Sequence, residues 1–501
     1  MKMKLILSCF LLAGCCLAGG LHIQAEEALL NMQELLDAGT LQAKVVQDWH
    51  RVKSSTPTRQ KLITIRVGEL LPGKEYRVPV RLIVPMGRKA KGFHLTGGHQ
   101  QSRIERDAQP RGVEKDLLES GVGLVYTMVQ VLGQSGQRAL GDAARRKFAE
   151  TLNPRYSIQY WGWPAALVRA TTAAYAEKDH FESGKVALSG GSKNGASPSV
   201  AIIHDKRMTA VHASVSPIWD SPLRLCDRKA WDELRKFNES YVAKLKKKDP
   251  RLRTSRLLRH AFLGGTYGPV YNDEALDAGN KWKDLEALAA RMADQVFISR
   301  NLKALKARKV DLFFQPGTHD FVAFDIAWGG KHHPGIPIYL RANSGHGIRE
   351  KHPAREKDDG NKTAFLLNHF FGGKDSLLEP PVVTTSLKGK RLSVTVTFKP
   401  GSRAESGRIW WMYDRGPDGS AAYIRETFPA EQWKDMKFDA GKNAWTAEID
   451  LAADASRIDF FSNHRKTIRH GSEKHFSYPV SYTHLRTHET SLHLVCRLLL
   501  E

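Results

Sequence analysis

The stretch Lys185-Val-Ala-Leu-Ser-Gly-Gly-Ser-Lys-Asn-Gly195 decides the fold, because a short apolar run enters a glycine-rich turn and helix-compatible residues follow. Lys185–Leu188 reads as a buried strand and Ala196–Ile203 as the start of a helix. The turn Gly190-Gly191-Ser192 between them is so tight that the serine must take a strained backbone conformation and its neighbours must lack bulk. Gly190, two residues before Ser192, meets that need. Asn194 stands where the usual G-x-S-x-G pattern has its last glycine, and Gly195 comes one later. Such a turn aims a helix N-terminus at Ser192, where backbone N–H groups and the helix dipole favour an oxyanion. The same residues could also make a phosphate-binding turn or a plain strand–helix loop. The rest of the chain must decide.

Further strands read at Tyr76–Val84, Gly92–Leu95, Gly123–Val129, Met208–Val215, Val310–Phe314 and Ile336–Leu340, with Pro164–Glu177 as a helix. Alternating strands and helices predict an α/β domain with a largely parallel sheet. The strand Val310–Phe314 leads to Gly317-Thr-His-Asp320, and Ile336–Leu340 leads to Asn343-Ser-Gly-His-Gly347. Ser192, Asp320 and His346 therefore follow their own strands in the order Ser, Asp, His, which is the order of the α/β-hydrolase fold. Asp325 is the rival acid; His319 and the pair His332-His333 read as loop or rim residues. The first oxyanion donor would be the Lys193 N–H. The second would come from the loop Thr96-Gly97-Gly98-His99, near Gly98 or His99, where glycines let the backbone approach an acyl carbon. In this reading His346 deprotonates Ser192, which attacks an ester or amide carbonyl, and water releases the acyl group. The reaction calls for no cofactor and no metal.

From these residues the sequence resembles the PhoPQ-activated pathogenicity-related family of exported bacterial α/β-hydrolases. The likeness runs from about Tyr76 to Val480. It rests on the G-x-S-K-x-G elbow at Gly190–Gly195, on Asp205-Lys-Arg-Met208, similar to the family's D-x-R-V, on the acid loop Gly317–Phe321 and on Asn343-Ser-Gly-His346. The resemblance implies an α/β-hydrolase fold with Ser192, Asp320 and His346 as triad, without specifying a substrate. The chain departs from the family at Ala196-Ser197-Pro198, where a bulky aromatic usually follows the elbow glycine. Ser-Lys-Asn-Gly is also similar to the Ser-Arg-Asn-Gly elbow of glucuronoyl esterases, so acylated or uronate-containing carbohydrate is the first substrate class, with a peptide bond second. The competing class is a non-catalytic lipoprotein that captures an envelope polymer.

The flanking sequence sets the context. The 501 residues are 41% hydrophobic and 26% charged, which suits a globular chain of two or three domains and excludes disordered, collagenous and polytopic membrane classes. The apolar run Leu5–Ala18, preceded by Lys2 and Lys4, is shorter than the roughly 20 residues a membrane-spanning helix needs and reads as a secretory signal over residues 1–20. Leu12-Ala13-Gly14-Cys15 resembles a lipoprotein box, which would lipidate Cys15 and make a lipid anchor the only membrane contact; the alternative is ordinary secretion with cleavage near Ala18 or Ala25. Either way the protein is expected outside the cytoplasm, in the periplasm or cell envelope, or secreted. Of five cysteines only Cys226 and Cys496 lie well beyond the signal, too few for a disulfide framework or a structural zinc site.

Residues 21–57 read as a leader and linker, 58–377 as the α/β-hydrolase domain, with a helical cap at about 218–305, and 378–480 as an appended β-sandwich. Leu392–Phe398, Ile409–Met412 and Trp445–Ile449 alternate with period two, and adjacent Trp410 and Trp411 cannot both face one core. Residues 481–501 break the pattern and resemble translated adapter sequence, so they read as a non-native tail. The net charge of +23, 76 Lys and Arg against 53 Asp and Glu, is spread along the chain. It is densest from Arg224 to Arg259, where a solvated helical face or affinity for an anionic polymer fits better than nucleic acid.

Overall fold

A computed structural model describes residues 28–134, 136–214, 217–251, 272–318, 320, 325–346, 360–373, 375–414, 428–470 and 474–486. The signal with Cys15, His319, the end of the basic stretch (252–259) and the chain after Arg486 lie outside the described residues.

The first part of the chain forms β1 (Lys44–Val52), β2 (Thr58–Leu71), β3 (Lys74–Pro85), β4 (Ala90–Thr96), β5 (Gly123–Thr127), β6 (Phe181–Gly191), β7 (Ala210–Ser214) and β8 (Asp311–Phe314). They make one sheet in the order β1-β2-β3-β5-β4-β6-β7-β8. Pairing is antiparallel from β1 to β5 and parallel from β5 through β4, β6 and β7 to β8. The parallel strands therefore all end at one edge, where open α/β sheets bind their ligands.

Beyond β8 the expected strand Ile336–Leu340 appears as two parallel bridges, Phe314 with Ile338 and Gly317 with Arg341. Pro316 and Pro337 interrupt a longer ladder because neither has an N–H to donate. The chain still runs beside β8, with Tyr339 N–H donating to Phe314 O at 2.8 Å and Arg341 N–H to Pro316 O at 2.9 Å. This order, with the serine, acid and histidine segments following β6, β8 and the bridged segment, is the α/β-hydrolase fold.

Side-chain alternation splits each central strand between two cores. Val186 and Leu188 of β6 join the core under the helices Trp163–Ala176 and Lys193–His204, while Ala187 faces the helix Asn361–Phe371. The helices Trp282–Val296 and Ile298–Ala307 were expected in the cap. They pack instead against Lys193–His204 and bury Leu285, Leu288, Met292 and Val296 in the first core. Their amphipathic period is satisfied by the sheet's helical layer. Arg224, at the start of the basic stretch, is likewise buried, whereas Lys244, Lys246, Lys247 and Lys248 are exposed on the helix Arg228–Lys248.

The segment read as leader and linker is built into the domain. After the short helix Met32–Leu36 the chain forms edge strand β1, whose mostly exposed residues lack a clean alternation. Leu29, Leu30, Leu35 and Leu41 are buried in the main core. Arg169, with no exposed surface, donates to the carbonyls of Glu34 at 3.1 Å, Asp37 at 2.9 Å and Arg66 at 2.9 Å. It thereby adds a donor to carbonyls at the end of the short helix, which also accept the Asp37 and Thr40 N–H groups, and ties them to β2. Replacing Arg169 by leucine is expected to destabilise the fold by about 3 kcal/mol in equilibrium denaturation, because the hydrogen bonds that tie the short helix to β2 are lost together.

Residues after the Pro380-Pro381 pair form two antiparallel sheets. One is ordered β13-β14-β10-β9 and the other β12-β11-β15-β16. The first comprises β9 (Val382–Lys388), β10 (Arg391–Thr397), β13 (Lys437–Asp439) and β14 (Ala444–Asp450). The second comprises β11 (Ser406–Tyr413), β12 (Trp433–Asp435), β15 (Ile458–His470) and β16 (Lys474–Arg486). Val394, Val396 and Ile449 of one sheet meet Ile409, Trp411 and Phe460 of the other in a shared core, which makes a β-sandwich. Trp410 points the other way, into the hydrolase-side cluster with Phe428 and Phe461. β16 extends through residues 481–486, pairing Ser481 with Asn463 and Arg486 with Ile458. That span had been read as the beginning of a non-native tail.

Candidate active site

Ser192 sits between β6 and the helix Lys193–His204 at φ 54° and ψ −133°, a conformation that a residue with a side chain rarely adopts. Its carbonyl accepts the N–H groups of Gly195 and Ala196, both at 2.9 Å, so the helix starts directly at the serine. A Cβ on Gly190 would lie 2.1 Å from Asn194 O, which explains the glycine two residues before the serine. Gly191 is different: its nearest neighbour would be 3.8 Å away, so the turn does not require a glycine there. The Lys193 N–H belongs to the first turn of this helix, whose N–H groups have no intrahelical acceptor.

The loop after β4 is seated against the elbow. A Cβ on Gly98 would stand 3.0 Å from Asn194 Nδ2 and 3.2 Å from its Cγ, so the Asn194 side chain packs against the Gly98 backbone. Gly97 is tighter still, because a Cβ there would come within 2.8 Å of Val129 Cγ1. The His99 ring is turned to Thr96 Oγ1 at 2.6 Å and lies over Tyr126 at 4.1 Å between centroids. Burial, with Arg103 and Lys362 nearby, depresses the His99 pKa to about 4, so the ring is neutral at physiological pH.

At the far side of the elbow, His346 Nδ1 lies 3.0 Å from Asp320 Oδ1 and 3.2 Å from Oδ2. Asp320 is buried while His346 is partly open. An Nδ1–H held by a carboxylate leaves Nε2 as the basic nitrogen of the neutral ring. The two loops are pressed together: a Cβ on Gly317 would lie 2.0 Å from Ser344 O, so only glycine fits. The Lys193 ammonium acts on the charge of His346, which brings the elbow and the histidine loop into one electrostatic neighbourhood. Lys193 Nζ also stands 5.6 Å from the centre of the Trp163 ring, and burial lowers its pKa.

The rival acid is otherwise engaged. Asp325 is buried in an ion pair with Arg224, Oδ2 to Nε at 2.6 Å and Oδ1 to Nη2 at 3.1 Å, and accepts Ser221 Oγ at 3.0 Å. It ties residues 221–224 to the start of the helix Ile326–His332. His333 pairs with Asp220 at 2.9 Å and His332 stacks on Trp328 at 4.4 Å. Sequence reading missed Arg224 because its partner is about a hundred residues away. It missed the role of Asn194 because a side chain at that position departs from the usual glycine. Among the described residues no group of three or more His, Cys, Asp and Glu side chains is arranged to hold a metal ion.

The hydrogen bond to Asp320 is the main force raising the His346 pKa, against burial and the charges of Arg341 and Lys193. Were His346 the general base of an ester hydrolysis, kcat/KM would be expected to rise with pH through a midpoint above the ordinary imidazole value of about 6.5, because a base works only when deprotonated. A pH–rate profile checks this. The stability contribution of the same pair runs oppositely: it is complete below the unfolded-state pKa and is lost as pH rises through the folded-state value.

The strand order and its parallel half give the chain an α/β-hydrolase fold. No protein-family model matches the sequence, and no curated protein matches it. Among solved structures, the chain is similar to a CE15 glucuronoyl esterase from Teredinibacter turnerae at 13% identity and a TM-score of 0.31, over 58% of this chain and 66% of that one. It is similar to a glucuronoyl esterase from Solibacter usitatus at 12% identity and a TM-score of 0.28, over 64% of this chain and 88% of the other. A puromycin-hydrolysing peptidase of Mycobacterium tuberculosis is similar at 13% identity and a TM-score of 0.32, over 66% of this chain and 46% of the peptidase.

Proposed function

We propose that the chain is an exported serine hydrolase that works through an acyl-enzyme, with Ser192 as nucleophile, His346 as general base and acid, and Asp320 as the carboxylate that orients His346. The observation that carries this reading is the Asp320–His346 hydrogen bond of 3.0 Å, formed by residues that follow neighbouring strands at the edge where Ser192 sits at φ 54°. His346 Nε2 takes the Ser192 Oγ proton as Oγ attacks the carbonyl carbon, and the oxyanion is received by the N–H of Lys193 and an N–H near Gly98 or His99. Collapse expels the alcohol with the proton from His346. Water then repeats the sequence on the acyl-enzyme and frees the acid and Ser192.

The substrate class we favour is an ester of acylated or uronate-containing carbohydrate. The Ser-Lys-Asn-Gly elbow supports it by its similarity to the glucuronoyl esterase elbow. Membership of the PhoPQ-activated family and a lipid anchor at Cys15 belong to the same proposal. The test is fluorophosphonate labelling of wild type and Ser192→Ala, with the labelled peptide located by mass spectrometry. Labelling confined to Ser192 supports the reading; a folded wild type that takes up no label at Ser192 overturns it.

A further inference from the structure

The β-sandwich raises the question of whether it serves the chemistry or merely follows it. In its second sheet, β11 and the first half of β15 are buried on both faces. One face packs on the partner sheet. On the other, Trp410 and Phe461 are paired across β11 and β15, and both ring-pack against Phe428, with centroids at 5.5 Å and 5.7 Å. This second face does not end in solvent. β16 lies along the helices Ile326–His332 and Asn361–Phe371, and Asn463 Nδ2 on β15 donates to Leu340 O at 3.2 Å.

The contact closest to the site is at Asn343, three residues before His346. Asn343 has no exposed surface and holds φ at 53°, a left-handed conformation that asparagine tolerates better than most residues. Its N–H donates to Thr318 Oγ1 at 3.0 Å, which ties it to the acid loop two residues before Asp320. Its Oδ1 accepts the Phe428 N–H at 2.7 Å, a buried bond between residues 85 apart in sequence. One residue thus joins three segments: its backbone ties the histidine loop to the acid loop, and its side chain ties it to the aromatic face of the sandwich.

We propose that Asn343 is a positioning residue through which the β-sandwich holds His346 on Asp320, so that the sandwich is a structural part of the catalytic site. The loop from Asn343 to His346 is rich in small residues, Ser344-Gly345, and would otherwise have many conformations open to it. Bracing its first residue from the sandwich and from Thr318 removes that freedom where the imidazole must be aimed. A base misplaced by about 1 Å can lose about 100-fold in rate, so a buried hydrogen bond at this point has leverage on the chemistry.

This inference rests on the serine-hydrolase reading, and its test separates the two. Asn343→Gly keeps the φ but removes the side-chain acceptor for Phe428. In full-length protein the fluorophosphonate labelling rate at Ser192 is expected to fall about 10- to 100-fold, with the labelled plateau retained. The acid limb of the pH–rate profile should shift, and kcat should fall on a chromogenic ester without a matching rise in KM. A folding defect alone would lower the plateau and leave the rate of the folded fraction unchanged, which would overturn the proposal. So would labelling at the wild-type rate. Failure of wild type to label at all would instead sink the underlying serine-hydrolase reading and this proposal with it. Hydrogen exchange on wild type gives a second measurement that needs no variant. Modification of Ser192 is expected to change exchange in peptides spanning 428–436 by about twofold or more, and unchanged exchange there would count against the coupling.

Discussion

Ser192→Ala is expected to lower kcat/KM for a chromogenic ester by about 10⁴- to 10⁶-fold while the protein remains folded. Three features make the loss large. The serine is held at φ 54° at the mouth of a helix, so no neighbouring hydroxyl can take its position without moving β6. Ser189 is turned to His94 at 2.8 Å, and Ser197 donates to Lys193 O at 2.5 Å, so the nearby serines are occupied. The residual rate would come from oxyanion donors and binding alone, which typically retain about 10³-fold over water. Alanine at this position also relieves backbone strain little, because alanine is as constrained at positive φ as serine. Melting temperature should therefore change slightly while turnover collapses. A Ser192→Ala variant with substantial turnover would require another nucleophile and sink the mechanism.

The second large effect distinguishes two buried aspartates. Asp320→Asn is expected to cost about 10³- to 10⁴-fold in kcat with little loss of stability, because an asparagine amide can favour the wrong imidazole tautomer. It should also bring the acid limb of the pH–rate profile down, since the hydrogen bond that raises the His346 pKa is the one weakened. Asp325→Asn should do the reverse. It leaves the Arg224 guanidinium, 2% exposed, without its counter-charge, and breaking such a pair costs about 3–5 kcal/mol of stability. The folded fraction should keep its labelling rate at Ser192. Measuring kcat and denaturation midpoints for both variants separates chemistry from architecture. Parallel losses in the two would refute the assignment of separate roles.

Much of the site was legible in the sequence because its signals are local. Gly190 must be small against Asn194 O, and Gly317 must be small against Ser344 O, and both stood out beside short apolar strands. Strands β4, β5, β6 and β7 were visible as apolar runs, whereas β2, also largely buried, was not read as a strand because lysine, arginine and glutamate interrupt its apolar residues. Edge strand β1 was not, because a strand with one solvated face and irregular register, shifted between Val45 and Gln47 and again before His50, shows little alternation. The helices Trp282–Val296 and Ile298–Ala307 carried a clear amphipathic period, but the period shows only that a face is buried, not against what.

The sequence by itself determined the α/β alternation, the elbow at Ser192, the order Ser192, Asp320, His346 and a second, all-β domain. Each follows from residue size, apolar period or position after a strand, which are properties of a dozen neighbouring residues. The folded chain alone shows that Asp320 meets His346 while Asp325 meets Arg224, that Trp410 and Trp411 enter opposite cores, and that Asn343 joins Phe428 across 85 residues. Those outcomes depend on which surfaces meet once the sheet has closed and the sandwich has docked. Contacts of that kind pair residues far apart in the chain, and their partners leave no mark on the local pattern.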